Sequence, residues 1–346
     1  MRQLTYVQPN LLEWWDVPEP RLQDDRDAIV APLAVTRCDL DLSIATGRAG
    51  FAGPFAIGHE AAGIVTAVGD AVTKFAPGDE VIVPFQISCG QCDRCRRGFT
   101  NACTSVPFRS SYGLKPVCGT EFGGALSDFL RAPFADHMLV RQPPGHALSQ
   151  TASLADAATA GFSAVKPWLE RDPGAAVLVI GGWAQSLGLL AAEAALALGA
   201  RARGLSRRRC AAPWARQGAG CGGAPGRAGL DAQPIGVFPI VIDAACTTAS
   251  LHLALRSVEP CGVCQRLYGD FTETTPVPLR HMYGVGITLA VGRVQARADL
   301  PECLDHVTAG HLHPERVLTL RARFEDAHEA IKDPTIKVVF LRDGIE

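Results

Sequence analysis

Cys89-Gly-Gln-Cys92-Asp-Arg-Cys95, followed by Cys103, spaces four thiols as C-x2-C-x2-C-x7-C in a loop that also carries Gly and charge. Four thiolates this close in sequence suit a closed tetrahedral zinc site, and with every coordination position taken such a site is structural. In peptide systems structural zinc contributes on the order of 10–16 kcal/mol, enough to order a loop with no core of its own. An iron–sulfur cluster could also use four cysteines, but the S4 set favours zinc. A nucleic-acid zinc ribbon fits less well, because the loop is short and embedded in an enzyme-sized chain. Cys38 and His59, the latter in Gly58-His59-Glu60, are also metal-ligand types. Taken alone, a core cysteine and a buried histidine are the commoner account of such a pair. Gly181-Gly182-Trp183-Ala184-Gln185-Ser186-Leu187-Gly188 follows an apolar strand and opens a helix. That order suits a dinucleotide turn, in which small residues let backbone amides and a helix N-terminus approach a pyrophosphate.

The elements that must position these residues fall into three zones. Met1 to about Gln150 is rich in Gly, Pro and β-branched residues, with short runs such as Ala28–Val30 and Glu80–Val83 and turn signals such as Pro77-Gly78-Asp79. It reads as a strand-rich, barrel-like domain. From about Thr151 to Leu289 buried strands, Ala176–Ile180 and Ile240–Asp243, alternate with helical stretches, an alanine–leucine helix and Ser250–Ser257. That alternation predicts a parallel, doubly wound sheet. Beyond Ala290 the pattern predicts a helix at Phe324–Lys332 and a last strand at Lys337–Leu341.

The chain has 346 residues, room for two cores, and a net charge of -2, which leaves no basic surface for nucleic acid. Met1–Asn10 lacks the apolar centre of a signal peptide, and no uninterrupted apolar run reaches the roughly 18 residues of a membrane span. A cytoplasmic protein with no membrane partner is expected. Twelve cysteines in a chain this large and unsignalled point to metal ligation or burial rather than disulfides.

The order Cys38, Gly58-His59-Glu60, Pro77-Gly78-Asp79, then Cys89 to Cys103 resembles the zinc-dependent alcohol dehydrogenases of the medium-chain dehydrogenase/reductase superfamily. The likeness runs through the nucleotide turn and covers nearly the whole chain, and Pro84–Pro144 is most similar to the formaldehyde and threonine dehydrogenase branch. The resemblance implies an α/β fold: a GroES-like β-rich catalytic domain over 1–150, completed by about 290–346, and a Rossmann NAD(P)-binding domain over 151–289. Substrate and catalytic zinc would sit in a cleft between them. It implies Cys38, His59 and Asp156 as ligands of an open, catalytic zinc, with Glu60 as the acidic neighbour that assists ligand exchange. Cys89, Cys92, Cys95 and Cys103 would hold the structural zinc. Gly181, Gly182, Ala184, Gln185, Ser186 and Leu187 would line NAD or NADP. The implied reaction is hydride transfer between a small alcohol, aldehyde or polyol and NAD(P), in a homodimer or homotetramer. For Asp156 a second role, capping the helix that follows, stays open.

Three features depart from the family pattern. Leu40 stands where a Ser or Thr usually relays the alcohol proton, so the relay either runs through Asp41, Ser43 or water or is lost. Trp183 stands where the backbone must nearly touch the cofactor and Gly is usual, so an indole there swings aside or fills the pyrophosphate space. Gly204–Gly229 shows neither helical nor strand period, and Arg207, Arg208 and Arg209 replace the acid expected on the adenosine ribose, which favours NADP if taken literally. These departures support an alternative, a non-catalytic or cofactor-impaired binding or structural member of the same fold. Cys261 and Cys264 form a C-x2-C with no second pair, and Cys261 takes a place in a Gly-rich turn rather than a redox role. His311 and His313 are expected on a solvated loop and Trp14 and Trp15 in the packing of the first hairpin, while Gly292-Arg293 resembles the family's late segment near the cofactor. Codons exist for Gly204–Arg209 whose one-base shift reads Asp-Tyr-Leu-Asp-Asp-Asp, restoring the acid. Sequencing the gene between Arg203 and Asp231 is expected to reveal two compensating shifts; if no frame there encodes a strand and a helix, this reading is withdrawn.

Overall fold

The computed structural model describes residues 1–202, 233–268 and 273–345. The irregular segment 204–229, with its arginines and the proposed shifted frame, lies outside the described residues. The chain forms two compact units, Met1–Ala160 with Val294–Glu346, and Gly161–Arg293.

The first unit opens with a hairpin, β1 (Arg2–Gln8) and β2 (Leu11–Asp16), followed by β3 (Ala28–Thr36), β4 (Phe55–Ala56), β5 (Glu60–Val68), β6 (Glu80–Val83), β7 (Leu130–Ala132) and β8 (Val140–Arg141). β3 and β5 pair antiparallel from Ala28↔Val68 to Thr36↔Glu60. Gly63 lies within that pair because a Cβ there would stand 2.2 Å from the Ala31 carbonyl oxygen. In the first hairpin Trp14 donates its indole N–H to the Glu325 carbonyl at 3.1 Å and packs on Phe324, while Trp15 stays part-exposed.

The second unit is a parallel sheet. β9 (Ala176–Ile180), β10 (Arg201–Ala202), β11 (Phe238–Asp243), β12 (Val258–Arg266) and β13 (Thr288–Val291) lie in the order β10-β9-β11-β12-β13. Their near-continuous apolar runs suit strands covered on both faces. Leu178, Ile180, Val241 and Cys264 form one cluster with Leu251, Ala254 and Leu255 of the helix Thr248–Arg256. That helix starts at a Thr247–Ser250 capping box, with reciprocal bonds of 3.0 and 2.9 Å.

The chain then returns to the first unit. The helix Ala296–Thr308, which periodicity did not reveal because Arg297, Pro301 and Glu302 interrupt it, buries Leu300, Cys303 and Val307. β14 (Leu320–Arg323) and β15 (Val338–Leu341) complete a sheet ordered β14-β15-β3-β5-β6-β8, with β7 paired to β3. The expected helix at 324–332 is a 3-10 turn, Phe324–Asp326, running into the short helix Ala327–Ala330. Together these elements form an α/β fold of a GroES-like β-rich unit and a Rossmann-type parallel sheet. Among the described residues no helix is long and apolar enough to cross a membrane.

Cys261 and Cys264 sit on β12 facing different surroundings, Cys261 exposed and Cys264 fully buried. Cys261 has φ of +64°, a left-handed conformation that a side chain resists and glycine accepts. Cys261→Gly is therefore expected to raise the unfolding free energy by about 1 kcal/mol, read as a higher denaturant midpoint at constant slope. An unchanged or lower midpoint would show that the turn carries no such strain.

Candidate active site and metal centres

The β3–β5 register brings the first cluster together. Because Thr36 faces Glu60, the residues just beyond β3 and just before β5 become neighbours, and these are Cys38 and His59. Gly58 has φ of +90° and lies against Leu126, whose side chain a Cβ would meet at 2.9 Å, so the turn that presents His59 requires glycine. Asp156 arrives from further along the chain, between the 3-10 turn Ala152–Ala155 and the helix Ala157–Arg171. One ligand atom each of Cys38, His59, Glu60 and Asp156 lies within 4.8 Å of every other. His59 Nε2 is 3.3 Å from Asp156 Oδ2, and the His59 side chain is almost wholly buried.

Asp156 does face the start of a helix, but the first helical amide, that of Ala157, donates to Glu60 Oε1 at 3.2 Å. The Asp156 carboxylate reaches His59 instead. Glu60 Oε2 receives the Lys337 ammonium at 2.7 Å and the Thr36 hydroxyl; both Glu60 and Lys337 are fully buried. Lys337 also donates to the Arg37 carbonyl at 3.1 Å.

Burial dominates the electrostatics. It pushes the Cys38 thiol well up, with the Asp156 carboxylate adding to the effect. Burial alone would pull His59 down, but Asp41 and Asp156 beside it outweigh this and hold it well above its ordinary value. Burial lifts Glu60 despite the neighbouring ammonium. Burial would depress Lys337, yet Glu60 and Cys38 more than offset that and keep the amine protonated. A thiol, an imidazole and two carboxyls packed into one dry spot form an acid-rich donor set that suits a divalent cation of zinc's ligand preference.

Asp41, weighed in the sequence as a proton relay, has both oxygens engaged. Oδ2 accepts the Cys38 N–H at 3.0 Å, and Oδ1 lies 3.2 Å from His59 Nδ1, a charge contact without an aligned hydrogen bond. Leu40 is buried beside it, as is Ser43.

The second cluster is the four-cysteine lobe, in which one sulfur each of Cys89, Cys92, Cys95 and Cys103 lies within 4.8 Å of the others. Cys92 begins the short helix Asp93–Arg96, and Cys92 and Cys103 sulfurs are 3.9 Å apart. The Cys92 amide and the Ser105 hydroxyl donate to Cys89 Sγ at 3.3 and 3.1 Å, and the Ser105 amide to Cys103 Sγ at 3.4 Å. The Thr104 backbone amide brings Cys92 down to about 5. All four are free thiols; burial pushes Cys95 and Cys103 up, whereas the donors aimed at Cys89 and Cys92 bring those two down toward the thiolate that a metal needs.

In the second unit Gly181 and Gly182 leave β9, and the helix Gln185–Ala197 follows with Ala184, which has no capping side chain, at its N-cap. A Cβ on Gly182 would stand 2.4 Å from Ala245 Cβ, and one on Gly188 2.9 Å from Ala244 Cβ, so both glycines let this turn and helix pack on the end of β11. The Ala184 amide donates to the Ala244 carbonyl at 3.1 Å. Ser186 is fully buried, Gln185 is exposed and Leu187 is half-buried. The Trp183 indole packs against the Tyr268 ring at a tilt of 48°, ring centres 5.0 Å apart. Asp243, ending β11, is buried against Arg266 at 2.8 Å. Arg293, just past β13, is half-buried.

The family description Alcohol dehydrogenase GroES-like domain matches residues 24–143. A probable zinc-binding alcohol dehydrogenase of Mycobacterium tuberculosis is 30% identical over 318 residues, 90% of this chain and 79% of its own. The chain belongs to the zinc-type alcohol dehydrogenase family. A glutathione-independent formaldehyde dehydrogenase of Pseudomonas aeruginosa is 30% identical over 213 residues, 58% of this chain but only 52% of its own length. The alcohol dehydrogenase TADH from Thermus sp. ATN1 superposes with a TM-score of 0.82 at 27% identity, over 99% of this chain and 100% of that one.

In this family member the structure thus groups all four residues of the first predicted cluster and all four of the second. Cys261 and Cys264 are not brought into a dithiol pair, and His311 is exposed while His313 contacts Glu315 at 3.1 Å. Sequence reasoning did not find Thr36 and Lys337 as partners of Glu60, nor Asp41 as the partner of His59. The only advance signal for Lys337 is a lone cation heading an apolar run, Ile336-Lys-Val-Val-Phe340. Asp41→Asn is expected to weaken zinc binding at the Cys38 centre about 10- to 100-fold, the usual cost of losing an outer-shell partner, while the four-cysteine lobe keeps its metal. Chelator competition on the purified protein measures both; equal weakening at the two centres, or none, would remove Asp41 from the site.

Proposed function

We propose that this chain is a zinc-dependent oxidoreductase that transfers hydride between a small alcohol, aldehyde or polyol and NAD(P). The observation that carries this reading is the convergence of Cys38, His59 and Asp156 on one buried point. Zinc held there by a thiolate, an imidazole and a carboxylate supplies Lewis acidity toward a substrate oxygen. The chain's own residues do the rest. Asp41 orients His59 and the Cys38 backbone, while Glu60, tethered by Lys337 and Thr36, keeps a carboxylate beside the three ligands without being one of them. In the proposal Cys89, Cys92, Cys95 and Cys103 bind a second zinc whose coordination is complete, a structural staple for a loop short of apolar residues.

For the dinucleotide, support comes from the Gly181–Gly182 turn leading into the N-terminus of the helix Gln185–Ala197, with Ala184, Gln185, Ser186 and Leu187 next to the phosphates. In the proposed division of labour, residues 1–150 and 290–346 carry the metals together with Asp156, and the rest of 151–289 carries the nicotinamide cofactor. The choice between NAD and NADP rests on residues outside those described. A homodimer or homotetramer in the cytoplasm completes the proposal.

Elemental analysis of the purified protein is expected to give two zinc ions per chain, and Cys38→Ala with His59→Ala to leave one. The same double variant should lose more than about 100-fold in kcat/KM for alcohol-dependent NADH or NADPH formation, beyond the effect of an outer-shell change. A single tightly held zinc that survives the double replacement would leave the catalytic reading without support.

A further inference from the structure

Trp183 and Tyr268 follow the ends of two strands that are not neighbours. Trp183 lies just past β9 and Tyr268 just past β12, with β11 between them in the sheet. Adjacent strands are spaced by about 4.8 Å, so β9 and β12 stand roughly 9.6 Å apart. Rings with centres 5.0 Å apart therefore meet beyond the carboxyl end of β11, each reaching across toward the other. This is also where an open parallel sheet offers its ligand crevice. From β9 the chain passes to β10 on one side, and β11 takes the other side, so the order reverses at the β9–β11 boundary.

Both ends of this aromatic pair are anchored. Gly182 is pressed against Ala245, and the Ala184 amide is bonded to the Ala244 carbonyl at 3.1 Å, so the backbone on either side of Trp183 cannot drift. The Tyr268 carbonyl accepts from Arg266 Nε at 3.0 Å, and Arg266 is in turn fixed by the buried Asp243 carboxylate at 2.8 Å and by the Thr247 carbonyl at 3.2 Å. With the backbone held on both sides, rotation of the Trp183 side chain about its own bonds is the direct way to open the space.

We infer that the Trp183–Tyr268 stack is a bar across the dinucleotide crevice, so that these two residues set cofactor affinity: a nicotinamide dinucleotide binds only after displacing the indole from the tyrosine. The inference rests on the dinucleotide site proposed above and adds residues to it that the Gly-rich turn does not name. Tyr268 acts through Trp183 and is a positioning residue. Its removal takes away the ring against which the indole packs.

The test titrates NADH and NADPH into the zinc-loaded protein by nicotinamide fluorescence, for the parent chain, Trp183→Gly, Tyr268→Ala, the double variant and Tyr268→Phe. Near-UV circular dichroism without nucleotide reports the stack independently. Trp183→Gly and Tyr268→Ala are each expected to remove the same dichroic band and to tighten binding about three- to tenfold, the scale of one aromatic pair. The double variant should bind no tighter than Trp183→Gly alone, and the ring-keeping Tyr268→Phe should return the weaker affinity. Weaker binding in either single variant, or gains that add in the double variant, would overturn the bar while leaving the dinucleotide site standing. Failure of all five proteins to bind either nucleotide would overturn the site and the bar together.

Discussion

The antiparallel register of β3 and β5 is the constraint on which the metal chemistry depends. Thr36↔Glu60 is the last pair of that ladder, and it places the residues just outside it, Cys38 and His59, side by side. Register in a half-buried sheet is fixed by its apolar face, since a slip of one residue would turn every side chain to the wrong side. The small residues of these strands, Ala34, Ala61, Ala62 and Gly63, let the two backbones and the layer beneath approach closely. The site is thus specified by packing well away from its own polar atoms.

Placing ionisable groups at such an end has a cost that the surrounding residues meet in an ordered way. Glu60 is fully buried, and its oxygens are engaged by Lys337, Thr36 and the Ala157 amide. Breaking a pair of this kind by removing one partner costs about 3–5 kcal/mol, because the remaining charge stays buried without compensation. The same pairing explains why β15, from the far end of the chain, lies next to β3 at the middle of the sheet: it delivers Lys337 beneath the cluster. The last strand is as much a part of the site as the residues that would touch the metal.

The second unit meets a different requirement, close approach of backbone to backbone. Gly182 and Gly188 face Ala245 and Ala244 with no room for a Cβ, where the turn enters the helix Gln185–Ala197. Into this tight turn the chain inserts Trp183, the largest side chain available, and then stabilises it on Tyr268. A buried Asp243–Arg266 pair fixes the neighbouring strand ends, so bulk at this position is accommodated by an anchored partner and not by loosening of the turn.

Local signals in the sequence determined a good deal. Cysteine spacing specified the four-sulfur lobe because a metal site closed within one loop needs no distant partner, and its ligands are read as near neighbours. Continuous apolar runs mark Ala176–Ile180 and Ile240–Asp243 as buried parallel strands, and family resemblance ties Cys38, His59 and Asp156 to one centre. Periodicity failed at Ala296–Thr308, where charges and Pro301 break the stripe, and overextended the helix at 324–332, where only a short turn is packed. What the tertiary structure alone decided is which groups hold the ligands in place. Lys337, Thr36 and Asp41 reach Glu60 and His59 through strand pairing and a helix cap, and Tyr268 reaches Trp183 across an intervening strand. Contacts of that kind depend on sheet order and register, which couple residues far apart in the chain, and no local pattern of residue types encodes them.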